Sequence, residues 1–136
     1  MPVTGVAEVL RAFDKAGRDA TTNTVRVTVD LVARVSGRAQ ATLSSMSMPY
    51  AGTGPFEGHV RDRLRIQVVP NQPIGAVFVE RTVAGNTGTD NRGVWVERGT
   101  ASIGARPFLH PAAEAERARY LHDLTAALEQ ATQGTR

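Results

Sequence analysis

The sequence predicts an α+β fold in which a small antiparallel β-sheet is packed by a long N-terminal helix and a C-terminal helix. Three observations predict it. Helix-spaced apolar residues fill the N-terminal third, strand-like runs bounded by glycine and proline fill the middle, and an alanine-rich segment closes the chain. At 136 residues the chain has the length of one domain, residues 1–136, large enough to bury a core without disulfides or a structural metal.

The first element is a short amphipathic helix from Thr4 to about Lys15, with Val6, Val9, Leu10 and Phe13 at three- and four-residue steps. Thr4 suits its N-cap and Gly17 its stop. From Asp19 to Ser45 two periods compete. Val25, Val27, Val29 and Leu31 alternate like a strand, while Val25, Val29, Val32, Ser36, Ala39 and Leu43 step like a helix. A proline-free run of this length favours a second, long helix with a weak N-terminal half, and Gly37 weakens its middle.

Residues 46–58, MSMPYAGTGPFEG, break the pattern with Pro49, Pro55 and three glycines, yet they carry Met46, Met48, Tyr50 and Phe56. Apolar loop residues need cover, either from their own core or from a neighbouring subunit. Three strand-like runs follow, His59–Val69, Ile74–Val83 and Arg92–Arg98, and suit a meander. In the first, Leu64, Ile66 and Val68 share one face and Arg61, Arg63, Arg65 and Gln67 the other. AGNTGTDNRG, residues 84–93, reads as a hairpin tip. Pro111 then opens a helix to about Ala131, with Glu114 and Glu116 near its positive end as solubilising residues and Ala115, Ala118, Leu121, Leu124 and Leu128 as its apolar stripe.

Composition excludes several classes of function. No cysteine means no disulfide framework, thiolate nucleophile or thiolate metal site. The N-terminus lacks the charged start and apolar run of a signal peptide, and no stretch approaches membrane-spanning length, so a soluble chain without membrane contact is expected. Sixteen basic against 13 acidic residues give a net charge of +3, too small for a dedicated DNA binder. Nearly all the basic residues are arginine, Lys15 being the only lysine, a skew that fits a GC-rich coding genome.

Motifs for chemistry are missing. His59, His110 and His122 form no ligand-spaced cluster, and Ser36, Ser44, Ser45, Ser47 and Ser102 sit in no nucleophile elbow. Gly85, Gly88 and Gly93 are followed by no Gly-Lys-Ser/Thr. The expectation is no catalytic residue, no metal and no cofactor. Arg61, Arg63 and Arg65 remain as a constellation: on one strand face, repeated around a ring, they would form a positive belt facing DNA, and otherwise they are a solvated or salt-bridged face near Glu57 and Asp62.

The most informative segment is VWVERGT at 94–100 with ARPFLHPA at 105–112, before the charged, alanine-rich helix. It resembles the tail-component or neck-protein family of lambdoid long-tailed phages, whose members show a Val-Glu-x-Gly-Thr motif, a short variable loop and an Arg-Pro-Phe-Leu-x-Pro-Ala segment leading into the last helix. Val96, Glu97, Gly99 and Thr100 match the first part; Arg106, Pro107, Phe108, Leu109, Pro111 and Ala112 match the second. His110 stands where the family more often has a basic residue such as arginine, and AGTGPFEG only loosely follows the family loop.

The resemblance implies a non-enzymatic virion protein of the head-tail junction, a six- or twelve-fold homo-oligomeric ring meeting neck, head-completion and tail-tube proteins. A tail-terminator ring is the alternative within that class, and a basic nucleic-acid-binding module the alternative outside it. Candidate interface residues are Tyr50, Phe56, Trp95, Glu97, Thr100, Arg106, Phe108 and Leu109. Phe108 and Trp95 each have two readings, an anchor for a neighbour or a residue of the chain's own core. Glu97 and Arg106 are candidates to pair across the turn or across a subunit boundary.

Overall fold

The computed structural model describes residues 5–46, 60–80, 92–101 and 104–133. Its elements are helix α1 (Val6–Ser45), a 3₁₀ turn (Val60–Arg63), strands β1 (Leu64–Val68) and β2 (Gly75–Val79), the short helix α2 (Arg92–Arg98) and helix α3 (Leu109–Gln133). The α+β class holds: the long N-terminal helix and the C-terminal helix pack together and on an antiparallel sheet.

Where two helices are expected at the N-terminus, there is one of 40 residues, about 60 Å long. Gly17 does not stop it. A helical glycine costs only about 1 kcal/mol relative to alanine, and Ala12, Ala16 and Ala20 on either side are half-buried. The helix begins after Gly5, which takes the left-handed φ of 97°; Thr4 lies outside the described residues. The weak threonine-rich stretch is held by hydroxyls bonded back to the preceding turn, Thr21 to the Gly17 carbonyl at 3.0 Å and Thr24 to that of Ala20 at 2.8 Å.

Helix α3 runs antiparallel to α1. The Asn23 side chain donates to the Ala127 carbonyl (3.3 Å), and farther along α1 Arg34 and Arg38 reach Glu116. The face of α3 that is buried is Ala112, Glu116, Ala127 and Ala131, not the leucine stripe expected. Leu121 and Leu128 are 53% and 45% exposed. Alanines permit a close helix pair, and the bulkier Leu121 and Leu128 turn outward while Leu124 stays half-buried. Pro111 sits inside the first turn of α3, where its missing N–H is not needed.

The sheet has two strands, in the register Leu64↔Val79, Ile66↔Val77 and Val68↔Gly75 on one face and Arg65↔Phe78 on the other. Pro70 and Asn71 make the turn between them, Gln72 N–H bonding the Val69 carbonyl at 3.2 Å with Asn71 at φ 59°, a conformation asparagine tolerates better than most residues. The expected third strand is a helix: Arg92–Arg98 forms α2, with Arg92 and Val96 buried one turn apart. The 84–93 hairpin tip falls mostly outside the described residues, and because Arg92–Arg98 is helical no third strand completes the meander among the described residues.

The core gathers Val35, Ala39 and Leu43 of α1, Val60, Val96 of α2, and Phe108 and Ala112 at the start of α3. Each large apolar side chain buried there contributes about 1.5–3 kcal/mol. Phe108 has no exposed surface, so it belongs to this chain's own core, and offers nothing to a neighbour in this conformation.

Candidate functional site

The residues of the VERGT and RPFLHPA segments come together as one joint. Helix α2 ends at Gly99, whose left-handed φ of 77° lets its N–H bond the Trp95 carbonyl at 2.7 Å. The chain then doubles back, so that the Arg106 N–H meets the Val96 carbonyl at 2.7 Å. This return brings the N-terminus of α3 against Glu97. The Glu97 carboxylate accepts the amide N–H groups of Phe108 (2.7 Å), Leu109 (2.9 Å) and His110 (3.0 Å).

A helix N-terminus carries unpaired amides and the positive end of the helix dipole. Glu97 satisfies three of those amides from a different element, which fixes the angle between α2 and α3. Burial alone would raise its pKa, but the amides of Phe108, His110 and Leu109, with the charge of His110, outweigh burial and hold it below the ordinary glutamate value. Sequence reasoning singled out Glu97 but set it against Arg106; the structure directs its carboxylate to backbone amides.

Beside the joint lies a cleft of about 390 Å³ lined by Val77, Phe78, Val79, Gly93, Val94, Glu97, Arg98 and Leu109. Leu109 also packs on the core. Trp95, next to this cleft in sequence, is 40% exposed. In the strand expected over Arg92–Arg98, Trp95 and Glu97 would share a face; on a helix two residues apart point in different directions, so Trp95 faces out while Glu97 faces α3. Thr100 is exposed. Tyr50 and Phe56 lie outside the described residues.

The arginine row does not form. Arg61 and Arg63 belong to the 3₁₀ turn, and only Arg65 is on a strand. Arg65 pairs with Glu80 at 3.0 Å and Arg61 contacts Asp62 at 3.8 Å. The alternation that suggested a common face needs extended backbone from residue 61, and the chain becomes extended only at Leu64.

Glu116 is the polar residue that sequence reasoning placed wrongly. Read as a solvated helix residue, it is 3% exposed and sits between two guanidinium groups, 2.8 Å from Arg34 Nε and 2.5 Å from Arg38 Nε. Hydrogen bonds from Arg38 and Arg34 lower its pKa against the opposing effect of burial. The signal was present: Arg34 and Arg38, four residues apart, share one face of α1 and call for an acid opposite.

Among the described residues no group of three histidine, aspartate or glutamate side chains is placed to hold a metal ion, and no helix is long and apolar enough to cross a membrane. No protein-family model matches the chain, and neither a curated protein nor a solved structure matches it.

Proposed function

We propose that this chain is a structural component of the head-tail junction of a long-tailed phage, which joins head and tail by assembling into a six- or twelve-fold ring with neighbouring neck, head-completion and tail-tube proteins. The observation that carries the reading is the Glu97 joint. The two halves of the motif that resembles the tail-component and neck proteins are tied together in this chain, with Glu97 bonded to the amides of Phe108, Leu109 and His110.

Around that unit Trp95, Phe78 and Val94 leave apolar surface uncovered on short elements, the kind of surface that subunit contacts use. On this reading the work is done by buried surface, repeated by heterologous contacts around a closed axis. The nucleic-acid alternative has less support, because Arg34, Arg38 and Arg65 are engaged with carboxylates within the chain.

Light scattering on the purified chain, alone and with the adjacent neck proteins, followed by electron microscopy of any large species, tests the proposal. Closed rings, or entry into rings only with those proteins, are the expected result, and Trp95→Ala should weaken them while leaving the helical content unchanged. A monomer that ignores those partners and binds free duplex DNA at low salt would overturn it. Phe108 is unsuitable as an interface probe because its truncation opens the core.

A further inference from the structure

At the end of the molecule far from the Glu97 joint, α1 carries apolar surface left uncovered among the described residues. Val6, Leu10, Phe13 and Gly17 fall on the same side of the helix as Val35 and Ala39, within about 80° at 100° per residue. On Val35 and Ala39 that side is buried in the core. Gly75 at the start of β2 approaches α1 at Thr28 and Val32. Toward the N-terminus the same stripe emerges, with Leu10 60% and Phe13 71% exposed.

The surface there is self-complementary. Phe13, Asp14, Gly17, Arg18, Thr21 and Thr22 border a shallow, open depression on this face of α1. It holds one large knob, Phe13, and one open notch, Gly17, where an added Cβ would meet nothing within 4 Å. It also holds one acid and one base, Asp14 and Arg18, neither of which has an ionic or hydrogen-bond partner among the described residues although they are four apart on the helix. A patch with one knob, one notch, one acid and one base fits its own copy across a two-fold axis.

We propose that this face is where a second copy of the chain docks, the two α1 helices crossing antiparallel near Lys15. Phe13 of each copy then lies over Gly17 of the other, and Asp14 of each stands beside Arg18 of the other. Val6, Leu10 and Phe13 leave about half or more of each side chain exposed on this face of each copy. An interface of this extent lies at the small end of those that associate specifically, on the order of 1,000 Å². The contact is therefore reversible, and it stands independently of the head-tail reading, which uses the opposite end of the molecule.

Sedimentation equilibrium from about 1 µM to about 500 µM tests it. The wild-type chain should pass from monomer to dimer within that range. Gly17→Leu fills the notch while improving helix propensity, so it should keep its circular dichroism and thermal melt and weaken the dimer by about tenfold or more. Asp14→Arg should weaken it similarly, and Asp14→Arg with Arg18→Asp should restore it. A wild-type chain that stays monomeric, a Gly17→Leu chain that dimerises as wild type does, or a charge swap that restores nothing would overturn the inference. Assembly lost in Trp95→Ala but intact in Gly17→Leu would overturn it too, while leaving the ring proposal standing.

Discussion

The Oε2 atom of Glu97 lies 2.7 Å from the amide nitrogen of Phe108, and through that contact α2 closes the N-terminus of α3. The same carboxylate serves Leu109 and His110, so one side chain supports both the angle of α3 and the burial of Phe108 in the core. Removing it should leave three helix amides without this partner. Glu97→Ala is expected to cost about 1–2 kcal/mol, as for loss of a good helix cap. Glu97→Gln, which keeps an acceptor oxygen, should cost less. Urea unfolding followed by circular dichroism measures both, and an unchanged midpoint in Glu97→Ala would show that the joint adds nothing to stability.

The charge on Glu97 ties the joint to pH. Its folded pKa is depressed, so the stabilisation is fully present above the ordinary glutamate value of about 4.3 and is lost as pH falls through the lower folded value. Glu116 is depressed in the same direction by Arg38 and Arg34, and adds to the acid sensitivity. The difference in urea midpoint between wild type and Glu97→Gln should therefore be largest at neutral pH and shrink toward pH 3. A difference that grows on acidification would contradict the lowered pKa.

Glu116 lies where α1 and α3 cross, under Arg34 and Arg38. Arg34 Nη2 is buried without a hydrogen bond, and its guanidinium is compensated by Glu116 at 2.8 Å and, at the longer distance of 3.5 Å, by Asp123. Breaking a buried pair from one side strands the other charge, whereas removing both partners together can be nearly neutral. Glu116→Gln should thus lower the Tm by several degrees, and Arg34→Leu with Glu116→Leu should recover part of that loss. Arg38→Ala, at the solvent side of the cluster, should do the least. Equal melts for wild type and Glu116→Gln would remove the cluster from any part in holding the helix pair.

These residues also show what was legible in the sequence. The apolar steps along α1, the Leu64–Val68 alternation and the alanine-rich last helix were sufficient for the α+β class. Local signals misled where packing decided the outcome. RGVWVER alternates like a strand, yet as a helix it buries Arg92 and Val96 together and frees Glu97 for α3. Gly17 looks like a stop, but the half-buried alanines around it belong to a helix that continues through it. The candidate site was legible as a list of residues, Glu97 to Leu109, and not as a geometry, because a carboxylate reaching amides 11 to 13 residues away depends on how the intervening chain returns.

The glycines separate close packing from open helix surface, and give the sharpest contrast in stability. A Cβ on Gly75 would stand 2.7 Å from Val32 Cγ1, and one on Gly93 would stand 2.9 Å from both Cβ and Cγ1 of Val79. Valine side chains are stiff, and Val32 is buried under the sheet with little room to yield. Gly75→Ala and Gly93→Ala should each cost about 1–3 kcal/mol, the range for overpacking. Gly37, inside α1, faces open space, and Gly37→Ala should instead stabilise by about 0.5–1 kcal/mol. Parallel urea titrations of the three variants check the signs. Should Gly75→Ala prove as stable as Gly37→Ala, the close approach of β2 to α1 at Val32 would be wrong, and with it the placement of the sheet over the middle of the long helix.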